Sequence, residues 1–217
     1  MMKAYFRIMA VLAAATLSAA PALAVPWNVN DSITYTLSTA VSTPYGSGGL
    51  FTITNTNTGA VAQTFCVELN EHIYQNDRIE GISDAAMLGG RAGGSPDPIS
   101  SATDWLYAQY TDGNATYSNP AALQVAFWIL EDEVTTSEAN SWFNSGLLAI
   151  ANGYVADANL YGVDSYGTQV LNLKAAASDS PHQSQLFNPN PVPEPATMIL
   201  LGAGLIGLWG FKRKFKK

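Results

Sequence analysis

Cys66 carries the only thiol in this 217-residue chain, and Gln124 is the one polar side chain inside the apolar run 121–130. A thiolate is a strong nucleophile and metal ligand. One cysteine forms no internal disulfide and builds no cysteine zinc cage. Taken alone, a single cysteine is a small buried hydrophobe, and a glutamine in an apolar run is an amide hydrogen-bonded inside a core. Both alternatives stay open on residue type alone.

Other constellations carry less chemistry. His72 and His182 are the only histidines, and Glu68 with His72 does not make the H-E-x-x-H metal helix. There is no Gly-x-Ser-x-Gly elbow, so a serine triad is not expected. Glu131, Asp132, Glu133, Asp157 and Asp164 are calcium-capable oxygens without the EF-hand spacing. The glycine-rich stretch 89–98 lacks a following Lys-Ser/Thr and a G-x-G-x-x-G pattern, and reads as a flexible loop rather than a phosphate cradle. Neither a cofactor nor a bound metal is expected, and nothing points to an enzyme.

A hydrophobic content of 47% is enough for one folded domain with a real core and argues against global disorder. The formal net charge of −7 hides an uneven distribution. Between residues 25 and 193 only Arg78, Arg91 and Lys174 are basic, against 16 acids, a formal −13. Nucleic acid is therefore excluded as a partner, because phosphate binding needs many Lys and Arg contacts. Solubility is the ordinary use of such a surface, and basic partners or cations are the partners it would attract.

The two ends read as addresses. Residues 1–24 combine Lys3 and Arg7, the apolar stretch 8–20 and the small-x-small site Ala22-Leu23-Ala24, as a secretory signal peptide does. At the other end Pro193-Glu194-Pro195 precedes the apolar stretch 196–211, which is followed by a terminus with Lys212, Arg213, Lys214, Lys216 and Lys217. The 16 apolar residues are expected to form a transmembrane helix, with Trp209 and snorkelling lysines at the interface. The basic end belongs in the cytoplasm and the body of the protein outside. Motif, short span and basic stop together resemble the PEP-CTERM sorting signal, over residues 193–217. That resemblance implies handling by an exosortase and the secretion machinery in a Gram-negative bacterium that makes exopolysaccharide. It further implies an inner-membrane-anchored precursor whose tail is removed before it reaches the cell surface or extracellular matrix.

The middle is expected to be one α+β domain, residues 25–175, joined to the sorting signal by a linker at 176–192. Ile33, Tyr35 and Leu37 alternate with Thr34, Thr36 and Ser38 as in a half-buried strand. Residues 50–54 and 61–69 extend the pattern around a hairpin turn at 55–59. An antiparallel sheet, sandwich or barrel-like, follows. On its 61–69 strand Phe65, Val67 and Leu69 share one face and Cys66 the other. A small helical subdomain comes next. It has a short helix at 101–110, then a buried one at 121–134 opened by an Asn119 cap and Pro120, then a helix within 138–151. Residues 169–174 read as a closing strand.

Phe65-Cys66-Val67 on a strand and Leu123-Gln124-Val125-Ala126-Phe127-Trp128 on a buried helix together resemble the bacterial thioester domain. Trp105-Leu106-Tyr107 and the acids after Trp128 add to the likeness, which spans about residues 30–175. The resemblance implies condensation of the Cys66 and Gln124 side chains with loss of ammonia. An amine-bearing surface protein or polysaccharide matrix would then be captured covalently, once and without turnover. An amide is a poor acyl donor, so such a bond requires contact held on rigid elements away from water. Phe65, Phe127 and Trp128 are the candidates for apolar cover, and Tyr107 and Glu131 for proton transfer. The alternative is a structural or carbohydrate-associated biofilm matrix protein with the same fold and no thioester.

Overall fold

The computed structural model describes residues 27–188. The signal peptide at 1–24, the end of the expected linker and the sorting signal with its apolar stretch 196–211 lie outside the described residues. Among the described residues no helix is long and apolar enough to cross a membrane.

Among the described residues eight strands and four α-helices make a mixed α+β domain. Strands β1 (Ile33–Thr43), β2 (Gly46–Asn55) and β3 (Val61–Thr64) form one antiparallel sheet in sequence order. Strands β4 (Arg78–Ser83), β7 (Gln169–Lys174) and β8 (Pro181–Phe187) form a second, ordered β4-β7-β8, and β5 (Ala85–Ala86) pairs with β6 (Asp97–Pro98). The helices are α1 (Ser101–Thr111), α2 (Pro120–Leu130), α3 (Thr136–Trp142) and α4 (Ser145–Tyr161).

Isolated bridges join the edges of the two larger sheets. Ser32 pairs with Arg78 beside the start of β1, and Cys66 pairs with Gln185 of β8. The Leu186 N–H donates to the Phe65 carbonyl at 2.8 Å and the Val67 N–H to the Ser184 carbonyl at 3.1 Å. The strand order thus runs β1-β2-β3-β8-β7-β4 and back to β1, which satisfies edge groups that would otherwise face water unpaired.

Two expectations are corrected here. The strand expected over 61–69 ends at Thr64, and residues 64–69 do not alternate. Thr64, Phe65, Cys66, Val67, Glu68 and Leu69 are all buried, because α2 covers one side of this segment and β8 the other. The stretch 176–192, expected as a linker, contains β8, whose Gln183–Phe187 portion is buried against β7. Its polar composition hides a strand whose amides are satisfied inside the fold.

Helix α2 is the central element. Asn119 caps it by accepting from the Ala122 N–H at 3.1 Å, with Pro120 in its first turn. Residues Ala122–Trp128 are buried without interruption, and the helix packs on β1, β2 and α4. It stops at Leu130 rather than 134, because Asp132 adopts φ 57° and turns the chain back so that the Glu133 N–H reaches the Trp128 carbonyl at 2.8 Å. The expected third helix divides into α3 and α4 at Phe143 and Asn144, where Asn144 caps α4 through the Leu147 N–H.

Candidate functional site

Cys66 and Gln124 lie 58 residues apart in sequence and meet in the core, both 0% exposed. The Gln124 carboxamide is fixed at both ends. Its Oε1 accepts from the Cys66 N–H and from the Gly49 N–H, each at 3.0 Å, and its Nε2 donates to the Cys66 carbonyl at 3.0 Å. Helix α2 supplies the amide, β2 supplies Gly49, and the segment beyond β3 supplies both Cys66 groups.

Close approach of helix and strand explains the glycine at position 48. A β-carbon there would collide with Cζ2 of Trp128, would stand 2.8 Å from its Cη2 and would lie 3.3 Å from Cys66 Sγ. Only a residue without a side chain lets the indole and the sulfur pack against β2. Phe65, Phe127 and Trp128, the aromatic residues expected as cover, are all buried. The Phe65 ring meets that of Phe127 at 5.2 Å, and Trp128, 1% exposed, stacks on Phe143 at 6.4 Å and 15°.

Burial pushes the Cys66 thiol up to about 12. The Gln185 side chain and the Gly49 and Cys66 N–H groups pull the other way, and the charge of Glu68 adds to the rise. Gln185, absent from the sequence-based candidates, places Nε2 3.8 Å from Sγ, while its Oε1 accepts from the Thr64 hydroxyl at 3.0 Å. Its concealment within a polar stretch is the reason sequence reasoning passes over it. The two proton-transfer candidates are engaged elsewhere: the Tyr107 hydroxyl donates to the Gln63 carbonyl at 2.7 Å, and Glu131 accepts from the Ser100 N–H and hydroxyl at the start of α1.

Glu131, Glu133 and Asp157 bind separate partners. Among the described residues no group of three or more His, Cys, Asp and Glu side chains is placed to hold a metal ion. His182, expected in a linker, sits on β8 with Nδ1 2.9 Å from Asp77 Oδ1.

Several carboxyl groups here share a sign of perturbation. Burial raises Glu71 to about 7, with Glu133 adding and His182 opposing. Burial likewise raises Glu68, Glu131, Glu133 and Asp77. In each case the folded state holds its proton to a higher pH than the unfolded chain, so stability falls as pH rises through the folded value. Glu138 has the opposite sign: Arg91 holds it down to about 2, so its contribution is lost only as pH falls from the ordinary carboxyl range toward that value. Thermal melts are therefore expected to show a Tm higher at pH 5 than at pH 8. A Tm that rises from pH 5 to pH 8 would contradict these assignments.

Residues 191–214 match the model of the PEP-CTERM protein-sorting motif. The match supports an exported protein sorted by exosortase from a membrane-anchored precursor. No curated protein and no solved structure matches the chain.

Proposed function

We propose that the exported domain forms an internal thioester between Cys66 and Gln124 and uses it to attach once to an amine-bearing partner at the cell surface or in the matrix. The observation that carries this reading is the pair of backbone N–H groups, from Gly49 and Cys66, on one carboxamide oxygen inside a dry core. Two fixed donors aimed at an acyl oxygen stabilise the charge that develops there when a nucleophile adds to the carbon. The thiol of the same Cys66 is that nucleophile. Sulfur bonds to Gln124 Cδ, the C–N bond breaks, and the thiol proton leaves with Nε2 as ammonia.

Attack by an amine reverses the polarity of the exchange. The amine nitrogen bonds to Cδ, the C–S bond breaks, and the nitrogen gives its proton to the sulfur. The result is an amide from Gln124 to the partner and a free Cys66 thiol. Nothing regenerates the thioester, so the domain is an attachment device and not an enzyme.

Intact mass tests the reading. Wild-type protein is expected to show a deficit of one ammonia that is absent in Cys66→Ala and disappears when methylamine adds. Its thiol should resist alkylation until the amine is supplied. Full mass with a freely alkylated thiol would overturn the thioester. The second reading is then a structural matrix protein whose Cys66 is inert; the thiol pushed up to about 12 by burial favours it.

A further inference from the structure

A cleft of about 250 Å³ opens between the β1–β2 hairpin and the segment following Cys66. Tyr35, Leu37 and Tyr45 form one wall, Glu71 and His72 stand on the other, and Gly48 and Trp128 line it as well. The last two touch the proposed reaction centre, since a β-carbon on Gly48 would lie 3.3 Å from Cys66 Sγ. Trp128 follows Gln124 by one helical turn on α2. The cleft therefore ends one residue away from the buried pair, with the indole and a bare glycine as the intervening layer.

Two features of the cleft select a ligand. Among the described residues Glu71 is the one acid that lines it, beside the neutral polar Ser47 and Gln183, the imidazole of His72, and mostly apolar and aromatic side chains. The nearby cation Arg91, 4.9 Å from the Tyr45 ring centroid, does not neutralise Glu71, because its guanidinium is held by Glu138 at 2.7 and 3.1 Å. An aliphatic stem ending in one positive charge matches this lining, and the formal −13 of residues 25–193 draws such cations toward it.

We propose, resting on the thioester reading, that this cleft receives the attacking group as a primary alkylammonium, that Glu71 binds its charge and takes its proton, and that Trp128 is the gate to the acyl carbon. An ammonium has no lone pair and cannot attack. Transfer of one proton from R–NH3⁺ to the Glu71 carboxylate gives R–NH2 and a neutral carboxyl. The amine then bonds to Gln124 Cδ, the C–S bond breaks, and the second nitrogen proton passes to sulfur. Burial and Glu133 place Glu71 near 7, with His182 opposing, so it can hold that proton and release it to solvent.

The test compares a cationic and a neutral nucleophile on the full chain at one neutral pH, read by intact mass. Methylamine and Nα-acetyl-lysine amide are the cationic probes, and hydroxylamine is the neutral one. Glu71→Gln is expected to keep the ammonia deficit, to slow both cationic probes at least about tenfold, and to leave the hydroxylamine rate within about twofold. Glu71→Asp should recover most of the loss. Equal slowing of all probes, or no slowing of methylamine, overturns the cleft while the deficit still stands for the thioester. A wild-type chain with no deficit before any amine is added overturns both.

Discussion

Replacing Gln124 by alanine is expected to lower the stability of the domain by about 3–5 kcal/mol. The substitution strands the Gly49 and Cys66 N–H groups and the Cys66 carbonyl, all bonded to the Gln124 amide at 3.0 Å. A buried group deprived of its partner costs about 1–3 kcal/mol, and the lost side-chain volume adds a cavity term in a core that closes on it incompletely. Water cannot easily repair the loss, because Cys66 and Gln124 are both 0% exposed. Urea titration of Gln124→Ala against wild type measures the effect as a lower midpoint. Gln124→Glu separates scaffold from chemistry. It keeps the shape and the acceptor oxygen, and burial favours its neutral form, whose O–H can still donate to the Cys66 carbonyl. It should fold close to wild type and lack the ammonia deficit. A Gln124→Ala midpoint equal to wild type would show that these bonds are not what holds α2 to β2.

How far such a site can be read from sequence depends on where each residue's signal is stored. Asn119-Pro120 and the apolar run after it announce α2, because capping chemistry and burial are both local properties. The turn at 55–59 announces the β2–β3 hairpin for the same reason. Cys66 and Gln124 stand out by type and by a short motif, and the structure brings them together. Gly48 and Gly49 do not stand out, since Gly48 acquires its meaning only from the Trp128 ring packed over it and Gly49 from the Thr39 carbonyl of the neighbouring strand. Gln185 is more hidden still. Strand β8 is polar over Pro181–Gln185, so period and hydropathy are silent, and its place is fixed by pairing with β7 and with Cys66. The 61–69 segment shows the converse error. Alternation requires one wet face, and a segment clamped between α2 and β8 has none.

Glu133, which the sequence offers as a calcium-capable acid at the end of the helix expected over 121–134, is expected to be the most costly acid to remove. The positive φ of Asp132 turns it inward after α2, where Oε2 accepts from the Leu69 N–H at 2.7 Å and Oε1 from the Arg91 N–H at 2.8 Å. The Arg91 guanidinium returns a bond to the Glu133 carbonyl at 2.8 Å. One carboxylate thus ties the chain beyond Cys66 to the glycine-rich loop, and bonds to a charged acceptor contribute about 1.5–3 kcal/mol each. Glu133→Ala should cost about 3–5 kcal/mol, and Glu133→Gln less, since the amide retains one acceptor. Glu80→Ala supplies the contrast: its partner Lys174 lies 2.7 Å away, but Glu80 is 42% exposed, and such pairs contribute about 0–1 kcal/mol. Trypsin gives a local readout, because between residues 25 and 193 it can cut only after Arg78, Arg91 and Lys174. Loss of the Glu133 anchor should expose the Arg91 site selectively under native conditions, ahead of global unfolding. Cleavage that instead appears at all three sites together would mean that Glu133 holds the whole domain rather than the loop, and resistance equal to wild type would remove it from the anchoring role altogether.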